Sequence, residues 1–325
     1  MNKRIFIARA LCIAATTVGC IRAAAGDAAK DIARYESSGE LAVDPTETVV
    51  EAPKDMKLIL CIGQSNMAGR GKMTPADREI VEGAYKLNRD DKWVKAKSPY
   101  HFDRTYAAVG PVDEFVRLYL KEHPGETVGV VPCAVGGSAM ATWQDDPSGR
   151  RGANLRRALE RARIAGANGK FIAVLWHQGE TDAAKYGAEA LMKTYPGRVK
   201  AMMEKIRREL GDGNLPLIVG EIGRWQRRDG KNADGTPRYA DHAARINPCL
   251  AKVTEILPDS ALVSSEGLKN QDSHHFDRES QRILGGRYYE AWKKTAASTK
   301  CGVTTESRTE ARHSLFCLVG EAYKR

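Results

Sequence analysis

The sequence lacks the features that mark several classes of protein. It holds only 7 cysteines in 325 residues, with none of the short paired spacings of metal sites, so we predict no metal centre. No apolar run is long enough to span a membrane as a helix. No lysine- and arginine-rich cluster marks a nucleic-acid surface, and no internal repeat is visible.

What the sequence does contain is typical of a globular protein with one sizeable core. Hydrophobic residues make up 42% and charged residues 28%. The formal net charge of +10 falls to +6 once four basic residues of the first 25 positions are set aside. A surplus that small favours a solvated surface, and we expect no nucleic-acid partner.

The first 25 residues have the pattern of an export signal. A basic start is followed by the mostly apolar stretch Ala10 to Cys20, and Ala23-Ala24-Ala25 offers a small-residue cleavage site. Thr17-Val18-Gly19-Cys20 also resembles a bacterial lipoprotein box, so a lipid anchor at Cys20 stays open. We expect an exported protein, secreted or periplasmic, or lipid-anchored at the cell surface.

The remaining chain divides by composition into three parts. Residues 26–54 are polar and small, as in a linker, residues 55–297 form the predicted domain, and residues 298–325 are a tail. Cys301 and Cys317 lie in this tail, and their pairing as a disulfide stays open.

A buried strand is predicted at the apolar run Leu58-Ile59-Leu60-Cys61-Ile62. It ends at Gly63 and presents Ser65. The carboxyl edge of a parallel sheet is where α/β proteins place their ligands. Ser65 there is a candidate nucleophile, and the alternative is a serine that caps a helix.

The downstream run Asp272-Ser273-His274-His275 supplies an acid and a base. Asp272 and His275 are three residues apart, so the carboxylate can face the imidazole and fix its tautomer. The G-x-S-x-G pattern of α/β-hydrolases is absent around Ser65. The sequence therefore predicts a serine, histidine and aspartate triad outside that family.

The order of the predicted elements indicates the fold class. Apolar strands alternate with amphipathic helices at βαβ spacing. We predict an α/β fold, a three-layer α/β/α sandwich with a central parallel sheet. The predicted strands are 58–62, 127–133, 171–176, 216–222 and 261–264, and the predicted helices are 110–121, 153–165, 195–210, 239–257 (interrupted near Pro248) and 277–292.

Four ordered blocks of the sequence resemble one known family. They are Gly63-Gln64-Ser65-Asn66-Met67-Ala68-Gly69, Ala134-Val135-Gly136-Gly137-Ser138 with Trp143, Trp176-His177-Gln178-Gly179-Glu180-Thr181-Asp182, and Asp272-x-x-His275. The blocks resemble those of SGNH hydrolases, specifically the sialate O-acetylesterase-like and acetylxylan esterase (carbohydrate esterase family six) group. The resemblance implies a flavodoxin-like SGNH fold.

This resemblance also implies roles for individual residues. Ser65, Asp272 and His275 would be catalytic, and the oxyanion would be held by the backbone N–H groups of Ser65, Gly136 and Gly137 and by the Gln178 amide. The alternative for Gln178 is a structural amide. We assign Glu180 a supporting role that holds the loops, with the acid that orients His275 as the alternative, and we interpret His177 as structural.

Two predicted loops are candidate walls of a substrate cleft. Residues 72–108 form a long irregular segment rich in aromatics, and residues 224–238 form a polar loop that includes Trp225. Trp143 and Trp225 are candidate cleft residues. The equally open alternative for residues 72–108 is a surface insertion that packs its own aromatics. The equally open alternative for Trp225 is a cap over the core.

The resulting hypothesis is a serine esterase that removes O-acetyl groups from carbohydrates through an acetyl-enzyme and needs no cofactor. The substrate would be acetylated xylan or a related polysaccharide, or an O-acetylated sialic acid. Three alternatives stay open: an esterase for another small acyl ester, a non-catalytic carbohydrate-binding protein, and a metal site at His274, His275 and Asp277.

Overall fold

A computed structural model describes residues 46–184, 188–231 and 237–300. Its main feature is a seven-stranded sheet in the order β3-β2-β4-β1-β5-β6-β9, in which all neighbours pair in parallel except β2 and β3. The strands are β1 (Met56–Gly63), β2 (Ala84–Leu87), β3 (Trp93–Lys95), β4 (Val128–Pro132), β5 (Gly169–His177), β6 (Leu217–Gly220) and β9 (Ser260–Val263). A separate antiparallel hairpin contains β7 (Arg227–Lys231) and β8 (Pro237–Asp241).

Helices connect the strands. They are α1 (Ser65–Ala68), α2 (Pro111–Glu122), α3 (Met140–Trp143), α4 (Ala153–Gly166), α5 (Glu180–Ala183), α6 (Ala188–Leu210), α7 (His242–Ile256) and α8 (Arg278–Lys300). A single 3₁₀ turn spans Pro75–Arg78. No helix within the described ranges is long and apolar enough to cross a membrane.

Two hydrophobic cores lie on opposite faces of the sheet. The side chains of β1 alternate between them, with Leu58 and Leu60 in the first core and Ile59 and Cys61 in the second. The first core includes residues of α4, α6 and α7, and the second includes residues of α2 and α8. This arrangement confirms the predicted three-layer sandwich, and it explains the continuous apolar run at 58–62, since both faces of β1 are buried.

The structure finds all five predicted strands and corrects three predictions around them. The segment 72–108 is not irregular throughout, because it contains the edge strand β3 and its neighbour β2. The segment 224–238 is not simply a loop, because β7 and the start of β8 lie within it. The helix predicted at 239–257 begins at His242, after the Asp241 cap, and continues through Pro248 without interruption.

The export signal, the lipid anchor at Cys20, most of the linker and the Cys301–Cys317 pair lie outside the described residues. They remain predictions.

The carboxyl ends of β1, β4 and β5 form the edge from which the site is built. Gly63 ends β1 with a φ of +129°, and a Cβ on it would overlap the His177 carbonyl oxygen of β5. Only glycine fits this position, because both the left-handed backbone and the close approach of the two strands exclude a side chain. The next residue, Gln64, continues the contact by donating its N–H to the same oxygen at 2.9 Å.

We therefore expect Gly63→Ala to lower the free energy of unfolding by about 3 kcal/mol or more, or to prevent folding. Gly211→Ala is the matched control, because Gly211 also has a positive φ (+70°) but open space where a Cβ would lie. The control substitution should lower the free energy of unfolding by about 1 kcal/mol. Chemical denaturation measures both, and equal losses in the two variants would contradict the close-approach argument.

Candidate active site

The structure brings Ser65, His275 and Asp272 into one hydrogen-bonded chain. The Nε2 of His275 lies 3.1 Å from the Ser65 Oγ, and its Nδ1 lies 2.9 Å from Asp272 Oδ2. Ser65 is 8% exposed, so it lies largely buried at this edge of the sheet. Because Nδ1 faces a carboxylate, it carries the proton and leaves Nε2 free to accept the serine proton.

Asp272 is held in its charged form by the loop that carries it. Its Oδ1 accepts the backbone N–H groups of His274 and His275, both at 2.8 Å. Partial burial would raise the pKa of Asp272, but the bonds from the His275 ring and from these two N–H groups outweigh it and leave the pKa below its usual range. The carboxylate is therefore ionised at neutral pH.

The side chain of Asn66 fixes the position of His275. Its Nδ2 donates to the His274 carbonyl at 3.0 Å and its Oδ1 accepts the Phe276 N–H at 3.2 Å, so the carboxamide bonds the backbone on both sides of His275. Nδ2 also donates to Glu180 Oε1 at 2.7 Å. The serine helix α1 thus holds the histidine loop directly.

Further contacts hold the same loop from its other sides. Gln226 Nε2 donates to the His274 carbonyl at 2.9 Å, and Gln271 Nε2 donates to the Arg70 carbonyl at 2.6 Å. Trp225 packs edge-to-face against Phe276, with ring centroids 4.8 Å apart. These contacts place His275 without using its ring nitrogens.

Two backbone N–H groups beside Ser65 are available to bind an oxyanion. Within the part of the chain that the structure describes, neither the Ser65 N–H nor the Gly137 N–H has a hydrogen-bond acceptor. Ser65 is the first residue of α1, so its N–H points out of the helix end. Gly137 is exposed and adopts a φ of +74°. Unpaired N–H groups of this kind stabilise negative charge that develops on a carbonyl oxygen.

Comparison with known proteins identifies the family. The family described as carbohydrate esterase, sialic acid-specific acetylesterase, matches residues 55–294. The chain belongs to this family. It is therefore a carboxylic ester hydrolase of the carbohydrate acetylesterase class, and the family predicted from the four sequence blocks is confirmed.

One relative is similar to this esterase in both sequence and fold. A probable carbohydrate esterase of Arabidopsis thaliana is 30% identical over 186 residues, which is 50% of this chain and 67% of the relative. Its solved structure has a TM-score of 0.60 at 24% identity, over 74% of this chain and 99% of that chain.

Two further solved structures share the fold. NanS superimposes with a TM-score of 0.57 at 16% identity, over 75% of this chain and 98% of its own. A carbohydrate acetylesterase from Xanthomonas citri superimposes with a TM-score of 0.54 at 22% identity, over 75% of this chain and 57% of its own.

Two of the predicted oxyanion donors of the esterase are already engaged. The Gly136 N–H donates to Asp103 Oδ2 at 2.7 Å. The Nε2 of Gln178 is buried among three acceptors, namely Asp182 Oδ2 at 2.6 Å, the Ser138 carbonyl at 3.1 Å and Gln64 Oε1 at 3.2 Å. Neither group is placed to donate to an oxyanion, and Gln178 instead fits the alternative of a structural amide that ties the three loops together.

The candidate cleft residue Trp143 is corrected by its burial. Its side chain is 0% exposed, it stacks edge-to-face on Trp176 and its Nε1 donates to Ser138 Oγ at 2.9 Å. Trp143 therefore supports the Gly136–Gly137 loop from inside the core. Trp225, through its contact with Phe276, fits the alternative of a cap over the core.

Glu180 and His177 form a buried layer beneath the site. Burial raises the pKa of Glu180 to about 7 and lowers the pKa of His177 to about 3, so the imidazole is neutral. The Nδ1 of His177 donates to the Tyr288 hydroxyl at 3.2 Å, which in turn donates to the Trp176 carbonyl. This agrees with the structural interpretation of His177.

The alternative metal site at His274, His275 and Asp277 does not fit the geometry. Both ring nitrogens of His275 are engaged by Ser65 and Asp272, and the His274 Nδ1 lies 2.7 Å from the Ser273 hydroxyl. Asp277 Oδ1 caps α8 by accepting the Ser280 N–H. The three side chains do not converge on one point.

The buried pair of Arg70 and Asp103 was not predicted from the sequence. Arg70 Nη1 and Nη2 donate to Asp103 at 3.2 and 2.7 Å, and this carboxylate also holds the Gly136 N–H. Arg70 directly follows Gly69, the last residue of the first of the four sequence blocks, and this position could have indicated a role at the site. Nothing local pointed to Asp103, because the contact spans 33 residues.

The raised pKa of Glu180 predicts a specific pH dependence of stability. The native state binds the proton more tightly than the unfolded chain, whose glutamate has the ordinary pKa of 4.5. Stability contributed by this group is therefore present below pH 4.5 and is lost as the pH rises towards 7. Glu180→Gln, which keeps an acceptor for Asn66, removes this loss.

We expect the difference in unfolding free energy between Glu180→Gln and the wild type to shift in favour of the variant by up to about 3 kcal/mol from pH 4.5 to pH 8. Urea denaturation at several pH values measures it. Parallel stability curves for the two proteins would show that the Glu180 pKa is not raised.

Proposed function

We propose that this protein is a serine esterase that removes O-acetyl groups from carbohydrates through an acetyl-enzyme. The observation that carries the proposal is the continuous Ser65–His275–Asp272 chain, with contacts of 3.1 and 2.9 Å. It lies at the carboxyl edge of the sheet, beside two N–H groups that have no acceptor in the part of the chain that the structure describes.

Acylation follows from this arrangement. Nε2 of His275 removes the proton from Ser65 Oγ as this oxygen attacks the acetyl carbonyl, and Asp272 stabilises the imidazolium that results. The carbonyl oxygen takes the negative charge and accepts the N–H groups of Ser65 and Gly137. The tetrahedral intermediate then expels the sugar oxygen, which receives the proton from His275.

Deacylation uses the same groups in the same order. Water takes the place of the sugar hydroxyl, His275 removes its proton, and the second tetrahedral intermediate expels Ser65 Oγ, which recovers its proton from His275. The products are acetate and the regenerated serine. In each half of the cycle His275 takes up one proton and gives one back, so the proposed reaction needs no cofactor.

Asn66 and Glu180 are positioning residues in this proposal. Asn66 holds the backbone on both sides of His275, and Glu180 orients the Asn66 carboxamide through the 2.7 Å contact. Neither residue exchanges a proton with the substrate. Their loss would misplace His275 and leave the chemistry of the triad unchanged.

Arg104 favours an acidic sugar over a neutral one as the substrate. Its guanidinium donates to the carbonyls of Asp103 at 2.9 Å and of Gly136 at 3.5 Å, and no carboxylate in the described ranges pairs with it. A partly buried cation beside the Gly136–Gly137 loop can bind a substrate carboxylate in forked geometry. This favours an O-acetylated sialic acid over acetylated xylan.

The substrate class and the nucleophile are tested together by acetate release from a panel of O-acetylated sialosides and acetylated polysaccharides. We expect Ser65→Ala to lower kcat by a factor on the order of 10⁴ or more, because the triad acts as a unit. Its thermal unfolding should match the wild type, since among the described residues the Ser65 hydroxyl hydrogen-bonds only to His275.

A purified Ser65→Ala protein that retains a tenth of the wild-type rate would contradict the mechanism. A wild-type enzyme that hydrolyses simple acetate esters but no sugar in the panel would leave the esterase in place and favour another small acyl ester. A folded wild type without any esterase activity would favour a non-catalytic carbohydrate-binding protein.

A second pair of variants separates the two carboxylates. Asp272→Asn presents an amide N–H to the His275 Nδ1 and so disfavours the productive tautomer, and kcat should fall by about 10³- to 10⁴-fold. Glu180→Gln keeps the acceptor for Asn66 and should cost less, about 10- to 100-fold at most. If folded Asp272→Asn keeps near-normal kcat while Glu180→Gln loses nearly all of it, Asp272 is not the acid of the triad.

A further inference from the structure

Tyr106 is the most exposed large hydrophobic or aromatic side chain in the described ranges. It is 65% exposed, whereas the other exposed large hydrophobic residues there are aliphatic. It lies at the end of the segment 103–106, and the next residues, Ala107 and Ala108, are buried. Isolated apolar residues on a surface are common, so exposure alone assigns no role to Tyr106.

The position of the ring is set by a buried cation. The Arg70 guanidinium carbon lies 5.2 Å from the centroid of the Tyr106 ring, within the range of a cation–π contact. Arg70 is only 6% exposed and is fixed by its two bonds to Asp103 and a third to the Gly69 carbonyl at 2.7 Å. One face of the ring thus rests on a rigid support and the residue remains open to solvent.

The same support reaches the acyl site. Asp103, which holds Arg70, also accepts the Gly136 N–H. A Cβ on Gly136 would lie 2.8 Å from Arg70 Nη2 and 3.8 Å from the Ser65 Cβ, so the Arg70 guanidinium and the Ser65 side chain both lie beside Gly136. At the next position, Gly137, a Cβ would meet nothing within 4 Å, so the space beside this loop is open.

This geometry suits a sugar ring. One face of a pyranose presents C–H groups, which are apolar and complementary to the negative face of an aromatic ring. A tyrosine ring loses little conformational entropy on binding, because only two side-chain torsions are fixed. A substrate whose acetyl group is at Ser65 can place its sugar over Gly137 and against Tyr106.

We propose that Tyr106, supported by Arg70, is the platform on which the sugar ring of the substrate stacks. This inference rests on the proposed carbohydrate esterase function and adds a specificity-determining residue to it. It also selects between the two interpretations of the segment 72–108, because Tyr106 forms a wall of the substrate cleft while Tyr100 and Phe102 of the same segment are buried.

The test compares an acetylated sugar with ethyl acetate, which has neither a sugar nor an aromatic ring to stack on Tyr106. We expect Tyr106→Ala to raise KM for the acetylated sugar about tenfold with a small change in kcat, and to lower the ratio of kcat/KM between the sugar and ethyl acetate about tenfold. Tyr106→Phe keeps the ring and should remain within about twofold of the wild type. Ile80→Ala is the matched control, because Ile80 is an exposed hydrophobic residue (54%) of the same segment. This variant should leave kcat and KM unchanged for both substrates.

The outcomes are distinguishable. An unchanged KM for the sugar in folded Tyr106→Ala would overturn the platform and leave the esterase assignment intact. An equal fall in kcat for both substrates would also overturn it, because Tyr106 would then act through Arg70 on the Gly136 loop. A wild type that hydrolyses ethyl acetate but no acetylated sugar would overturn the carbohydrate assignment and the platform together.

Discussion

The carboxamide of Asn66 bonds the backbone on both sides of His275, and the site depends on this contact. Ser65 and His275 are 210 residues apart, and the residue next to the serine holds the histidine loop so that their side chains meet at 3.1 Å. Asn66 is itself 0% exposed and bonded to Glu180, so its carboxamide cannot rotate without leaving buried polar groups unpaired. The same contact therefore orders the loop after β9 and completes the triad.

A second set of buried amides and carboxylates makes the surrounding loops rigid. Gln178 and Asp182 connect the loops that follow β1, β4 and β5, and Asp103 holds the Gly136 N–H. The Gln178 amide and the Gly136 N–H were predicted as oxyanion donors from the sequence, yet the structure uses both for support. The N–H groups of Ser65 and Gly137 have no acceptor among the described residues, and backbone donors held in this way need no reorganisation when charge develops on the substrate.

The sequence predicted the features that local pattern determines. The strands β1, β4 and β6 have continuous apolar runs because both of their faces are covered, and Asp272 can reach His275 because the two are three residues apart in one loop. The sequence did not predict β2 and β3, which are short strands of four and three residues at one side of the sheet, inside a mostly polar segment. The direction of the Gln178 amide depends on acceptors that include Ser138 and Gln64, which are 40 and 114 residues away. The support of Tyr106 by Arg70 and Asp103 depends on tertiary packing. None of these contacts leaves a periodic signal.

The central claim is that Ser65 Oγ is the atom that is acylated. Reaction of the wild type with a fluorophosphonate, followed by proteolysis and peptide mass spectrometry, tests it most directly, because the product is a stable analogue of the tetrahedral intermediate. If Ser65 is the nucleophile, we expect loss of activity with one phosphonyl group per chain, located on Ser65, and no labelling of Ser65→Ala. Labelling of another residue, such as Ser138, in step with the loss of activity would contradict it.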